Sequence, residues 1–229
     1  MIGPRKTIYA ALLGAAFFTG CTTSGTIGSM SLLPSGGPDD VPLLTTATLA
    51  RGNVTVSGPD GYCIDPATLR SSTRGGFAAI ASCHILSGGT ESAIVEPVLV
   101  TVTVSPANNG EPSPAELADA LGTTLLQNRE LSAILVGQMA SGGEVAFSGS
   151  DPKHWRGAFV LGSHLVGVTL YAPQGSPLLG AQGAAFLNTV SSSIRANSKS
   201  EAPGSADQSQ SPIDPLSQRL GRLFARRDL

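Results

Sequence analysis

The run Val98-Leu99-Val100-Thr101-Val102-Thr103-Val104 favours one backbone above all others, the extended strand. β-Branched side chains are stiff at χ1 and pack well on a pleated surface. Residues 93–104 therefore read as a strand, the strongest such signal in the chain. A strand needs partners, and the neighbouring sequence supplies them. Asn53-Val54-Thr55-Val56-Ser57 alternates and reads as a strand, closed by the turn Gly58-Pro59-Asp60-Gly61. Residues 77–86 carry small and β-branched side chains without formal charge, the pattern of a buried strand.

Downstream the periodicity changes. Ser113-Pro114-Ala115-Glu116 has capping-box spacing with Pro at the first helical position. Leu117, Leu121 and Leu125 follow four apart, which predicts one apolar helix face ending before Asn128. Four short segments then predict a meander: residues 133–139, 144–148, 155–161 and 165–172, separated by Ser141-Gly142-Gly143, Ser150-Asp151-Pro152 and Gly162-Ser163. A last helix is expected over residues 178–196, with Leu179, Gly183, Phe186, Val190 and Ile194 on one face. Gly183 would let that helix approach the sheet closely. Three strands, a helix, four strands and a helix make an α+β plan. The expectation is a largely antiparallel sheet of about six or seven strands covered by two or more helices. This element order loosely resembles the PsbP-like sandwich, in which helices cover a central antiparallel sheet.

The flanks differ in kind from this unit. Arg5 and Lys6 precede an uncharged stretch over residues 8–18, too short to span a bilayer, so residues 1–20 read as a secretory signal. It ends in Phe18-Thr19-Gly20-Cys21, which resembles the lipobox of bacterial lipoproteins. Thr19 and Gly20 fit that pattern, and Phe18 departs from its preferred Leu. The resemblance implies that Cys21 becomes the first mature residue and carries lipid; several acyl chains anchor stably where one does not. An ordinary secretory signal with a chance cysteine is the other reading. Thr22 stands where an Asp marks inner-membrane retention in enterobacterial lipoproteins, which leans the expectation toward the outer membrane. Residues 21–46 are rich in Ser, Gly, Thr and Pro and read as a flexible tether. Residues 47–197 are the expected α+β domain, and 198–213 a second polar linker.

Residues 214–229 read as a basic amphipathic helix. Asp214-Pro215 starts it; Leu216, Leu220, Leu223 and Phe224 share one face, and Arg219, Arg222 and Arg226 flank it. It is suited to an anionic membrane surface or a partner groove. Packing back on its own domain, or fraying, is the alternative, since 14 or so residues alone are marginal in water.

Composition removes some function classes. Charged residues are 13% and the net charge is −2, so no basic surface for nucleic acid is expected. No run of 18 apolar residues occurs, and the 41% apolar content argues against a wholly disordered chain. Besides Cys21 the chain has Cys63 and Cys83, an even pair that reads as a disulfide in an oxidising compartment. A redox pair would favour Cys-x-x-Cys, which is absent. Cys83 and His84, adjacent on the expected strand, would point to opposite faces and not share a metal. The stretch Gly58-Pro59-Asp60-Gly61-Tyr62-Cys63-Ile64-Asp65 with Cys83 is similar to uncharacterised envelope lipoproteins of alphaproteobacteria, a resemblance that implies an envelope location and no assigned activity.

His84, His154 and His164 are expected at turns or on the surface, rather than as ligands or bases. Ser150-Asp151-Pro152-Lys153 matches Ser-x-x-Lys without a helix to carry it or a companion motif. Neither Gly-x-Ser-x-Gly nor a phosphate-cradling Gly-Lys-Ser/Thr loop occurs. Trp155, the single tryptophan, is expected to pack on the sheet under the last helix; with Arg156 it would otherwise make a binding anchor. No catalytic residue, cofactor or metal ligand is assigned. The functional expectation is a membrane-anchored envelope lipoprotein with a non-enzymatic binding or accessory role in the periplasm, its partner another envelope protein or the cell wall. A periplasmic hydrolase would need two histidines beside a Ser or carboxylate in one cleft. A small-ligand carrier would need an apolar pocket between sheet and helix.

Overall fold

The valine–threonine run forms β6 (Leu99–Pro106), near the middle of an eight-stranded sheet. The structure is a computed structural model describing residues 43–90, 93–108 and 110–199. The remaining strands of the sheet are β3 (Tyr62–Ile64), β4 (Arg70–Ser71), β5 (Gly76–Ser82), β7 (Leu125–Glu130), β8 (Leu135–Met139), β9 (His154–Leu161) and β10 (His164–Tyr171). They lie in the order β3-β5-β6-β10-β9-β8-β7, with β4 beside β5. The pairings are antiparallel. β1 (Thr46–Leu49) and β2 (Val54–Ser57) form a separate hairpin. The helices are α1 (Cys83–Leu86), α2 (Pro114–Leu121) and α3 (Ala181–Asn197). The fold is α+β.

Alternation along the strands builds two unlike faces. Val100, Val102 and Val104 of β6, Val166, Val168 and Leu170 of β10 and Trp155 and Phe159 of β9 join one core. On that face lie the β1–β2 hairpin, through Leu49, Val54 and Val56, and α3, through Ala184, Leu187, Val190 and Ile194. Gly183 is required for this: a Cβ there would collide with the carbonyl oxygen of Leu178 and come within 2.9 Å of Trp155 Cδ1. Trp155 is fully buried under the start of α3, as the sequence predicts, and its Nε1 donates to the Leu179 carbonyl at 3.2 Å. Gln138 Nε2 donates to the same carbonyl at 2.6 Å. At the other end of α3, the Arg195 guanidinium lies 4.2 Å from the Phe159 ring centroid, and its Nε donates to the Ala133 carbonyl.

Several sequence expectations are corrected. The strand expected over 77–86 stops at Ser82, whose pairing with Tyr62 ends the ladder, and Cys83–Leu86 turn into α1. Gly88 and Gly89, both at positive φ, follow that turn. The strand expected from residue 93 begins at Leu99. The capping box at Ser113 is present, with Glu116 N donating to Ser113 Oγ and Ser113 N to the Glu116 carboxylate. However, α2 ends at Leu121, because Gly122 adopts the left-handed conformation and its amide and that of Thr123 bond back to Asp119 and Ala118. Leu125 thus does not extend the helix face of Leu117 and Leu121; it starts β7, and Leu121 is exposed. The meander exists, but its first strand is β7. Residues 144–148 are not a strand: Gly143–Val145 form a 3₁₀ turn. The last helix starts at Ala181 after a 3₁₀ turn over Pro177–Leu179.

Candidate functional site

The second face of the sheet is only partly covered. α2 packs over β7, β8 and β9 at one end. At the other, Phe147 packs on Ala79 and Leu99, with Phe77, Ala146 and Tyr171 around them. The segment bearing Phe147 is held by buried Ser150. Ser150 Oγ lies 2.7 Å from the carbonyl oxygens of both Gly143 and Phe147. This explains the Ser-x-x-Lys match: the hydroxyl ties a loop and Lys153 is exposed.

Between these two covers the face carries threonines and one cation. Register places Thr101 of β6, Thr169 of β10 and Arg156 of β9 side by side. Thr103, Gly167 and Ala158 form the next row. Together with Pro112 and Leu117 from the α2 side, they line a cavity of about 180 Å³. It lies between the sheet and α2, and its lining is mixed rather than apolar: the threonines and Arg156 share it with Pro112, Leu117, Ala158 and Leu165. Gly167 keeps its floor low, since a Cβ there would meet Thr103 Oγ1 at 2.7 Å.

Arg156 is the one charged residue in the lining. Its Nη2 donates to Tyr171 Oη at 3.4 Å, a long bond. Its Nε is buried and has no partner among the described residues. A guanidinium offers five donors, and an unsatisfied buried donor costs about 1–3 kcal/mol. The arrangement is therefore one a purely structural arginine would not favour.

Beside this site His154 stacks on Tyr171, with ring centroids 5.2 Å apart. His154 is buried, which corrects the expectation of a turn or surface residue. Burial holds its imidazole pKa below the ordinary value; the Pro152 carbonyl, 3.4 Å from Nδ1, opposes that shift and the nearby Arg156 charge adds to it. His164 is also buried, with Nδ1 3.4 Å from Ser163 Oγ. It begins β10 while His154 begins β9, so the two sit at opposite ends of one hairpin, about 23 Å apart along seven residues. His84 lies on α1 at the far edge of the sheet. The three histidines are not gathered, and no group of three metal-binding side chains occurs among the described residues.

Cys63 and Cys83 form a disulfide with Cα atoms 4.9 Å apart. It joins edge strand β3 to α1, next to the last pair of the β3–β5 ladder. Cys83 and His84 stand on a helix and not on a strand, so the opposite-face argument against a shared metal does not apply; the disulfide itself occupies the Cys83 sulfur. Cys21 and the tail residues Leu216, Arg219, Leu220, Arg222, Leu223, Phe224 and Arg226 lie outside the described residues.

Arg156 and its threonines were not legible as a site from sequence. The signal was an arginine in an otherwise uncharged strand, His154–Leu161, whose alternation points it away from the core. No family model, curated protein or solved structure matches the chain.

Proposed function

We propose that the protein is a lipid-anchored envelope domain that binds a partner or ligand in the periplasm through the partly covered face of its sheet. The observation that carries the reading is the Arg156 cavity: a cation without a counter-ion among the described residues, on the side of the sheet away from α3 and the hairpin. The Cys63–Cys83 disulfide suits an oxidising compartment. The lipobox-like Phe18-Thr19-Gly20-Cys21 supports the anchor, and the absent retention Asp favours the outer membrane. The apolar stripe and arginines of residues 214–229 support a second contact, with an anionic membrane or an envelope partner.

Two measurements test it. Mass spectrometry of the protein from cells should find lipid on Cys21, and Cys21→Ser should abolish membrane fractionation. A photo-cross-linking residue at exposed Thr103 should capture a partner or ligand, whereas one at Ser192, exposed on α3, should not. Unmodified Cys21, or equal capture at both positions, overturns the reading.

A further inference from the structure

Resting on that reading of the face, we propose that the cavity is a carboxylate-binding site with Arg156 as its anchor. Charge sets the first limit. The lining holds one guanidinium and no acidic residue, so its charge is matched by one carboxylate and exceeded by a phosphate dianion. The planar guanidinium fork suits a planar carboxylate, which it binds through two parallel hydrogen bonds. The bond to Tyr171 Oη is long, at 3.4 Å, and the buried Nε has no acceptor among the described residues, so the fork is weakly committed within the protein. Thr169 stands beside it in the same row, with Thr101 next in line, and both line the cavity. Size sets the second limit. A cavity of about 150 Å³ admits benzene, and this one is about 180 Å³. Open on one side, it seats a short acid or the end of a longer chain. Leu117 and Pro112 offer the apolar wall against which the carbon part of such an acid packs.

A carboxylate of this size comes either as a free organic acid or as the end of a peptide. Calorimetric titration of the full chain in neutral detergent distinguishes them. The probes are butyrate, acetyl-Ala-Ala with a free carboxylate, the amides of both, and inorganic phosphate. We expect one or both acids to bind, the amides to be silent, and Arg156→Gln to weaken the acid at least about tenfold. Gly167→Val, which raises the cavity floor and leaves the guanidinium in place, should give the same loss; because its Cβ also displaces Thr103 Oγ1, retention of the fold is checked by circular dichroism. Butyrate binding alone assigns a free acid; peptide binding alone assigns a chain end. The proposal is overturned if neither acid binds at about 10 mM, if Arg156→Gln binds as the parent does, or if phosphate binds more tightly than both. Capture at Thr103 together with silent acids would keep the face as a binding surface and remove the carboxylate from it.

Discussion

Ser191 is fully buried within α3, and its hydroxyl has no hydrogen-bond partner among the described residues. Its neighbours along the helix, Leu187, Val190 and Ile194, belong to the core. Replacing it with Ala removes an unsatisfied hydroxyl and improves helix propensity. We expect Ser191→Ala to raise unfolding stability by about 1 kcal/mol, read from denaturant midpoints at constant slope. His154 gives a pH dependence at the same scale. Its pKa is held below 6.5 in the folded state, mainly by burial. The unfolded chain therefore takes up the proton first. Stability from this residue is full above about pH 6.5 and falls as the pH drops through 6.5 toward the lower folded value. Midpoints measured from pH 7.5 to 4.5 should show that fall in the parent, and His154→Gln should flatten it. The sequence did not disclose the burial of His154 and His164, because strand ends look alike whether or not a loop folds over them. Here the loop carrying Glu144, Ser150 and Pro152 closes over the start of β9.

Elements were legible where local chemistry decided them. The capping box at Ser113, the Val/Thr strand β6 and the close approach at Gly183 each follow from one residue type at one position. The last has a direct check: Gly183→Ala should cost about 1–3 kcal/mol of stability, because its methyl meets both the Leu178 carbonyl and Trp155 too closely. Elements were misread where distant pairing decided them. Leu117, Leu121 and Leu125 keep helical spacing, yet Gly122 stops α2 and Leu125–Glu130 pair with β8 as an edge strand. That edge is polar at Gln127, Asn128, Arg129 and Glu130, and its register shifts between Leu125 and Gln127. Charges and irregularity protect an edge from pairing with a second molecule. The opposite edge is stapled instead. The disulfide closes a sequence separation of 20 residues, for which loop closure contributes about 3 kcal/mol. Cys63→Ala with Cys83→Ala should lose stability of that order by chemical denaturation, and the single variants should not differ from the double by more than about 0.5 kcal/mol.

At the scale of the molecule, the sheet order was not readable from the sequence. β6 pairs with β10, which starts at His164, 58 residues after β6 ends at Pro106, and no local signal announces such a partner. The cavity arises from that pairing, since it brings Thr101 and Thr103 beside Thr169 and Gly167 and, through β9, Arg156. The ends of the domain have a geometry of their own. At the front, Leu44 lies along the β3 edge through the Ile64 amide, and the chain then runs into the β1–β2 hairpin. At the back, Ser198 Oγ accepts from Thr55 N at 2.9 Å, and Thr55 sits opposite Thr48 in that same hairpin. Both described ends thus lie beside one hairpin, on the side of the sheet that faces α3. A support attached directly at either described end would stand behind the sheet and leave the threonine face open. A biosensor surface coupled through the segment before residue 43, or through the segment after residue 199, should accordingly record the same association rate for a binder of the Arg156 face, whereas coupling through a cysteine introduced at Thr103 should block it.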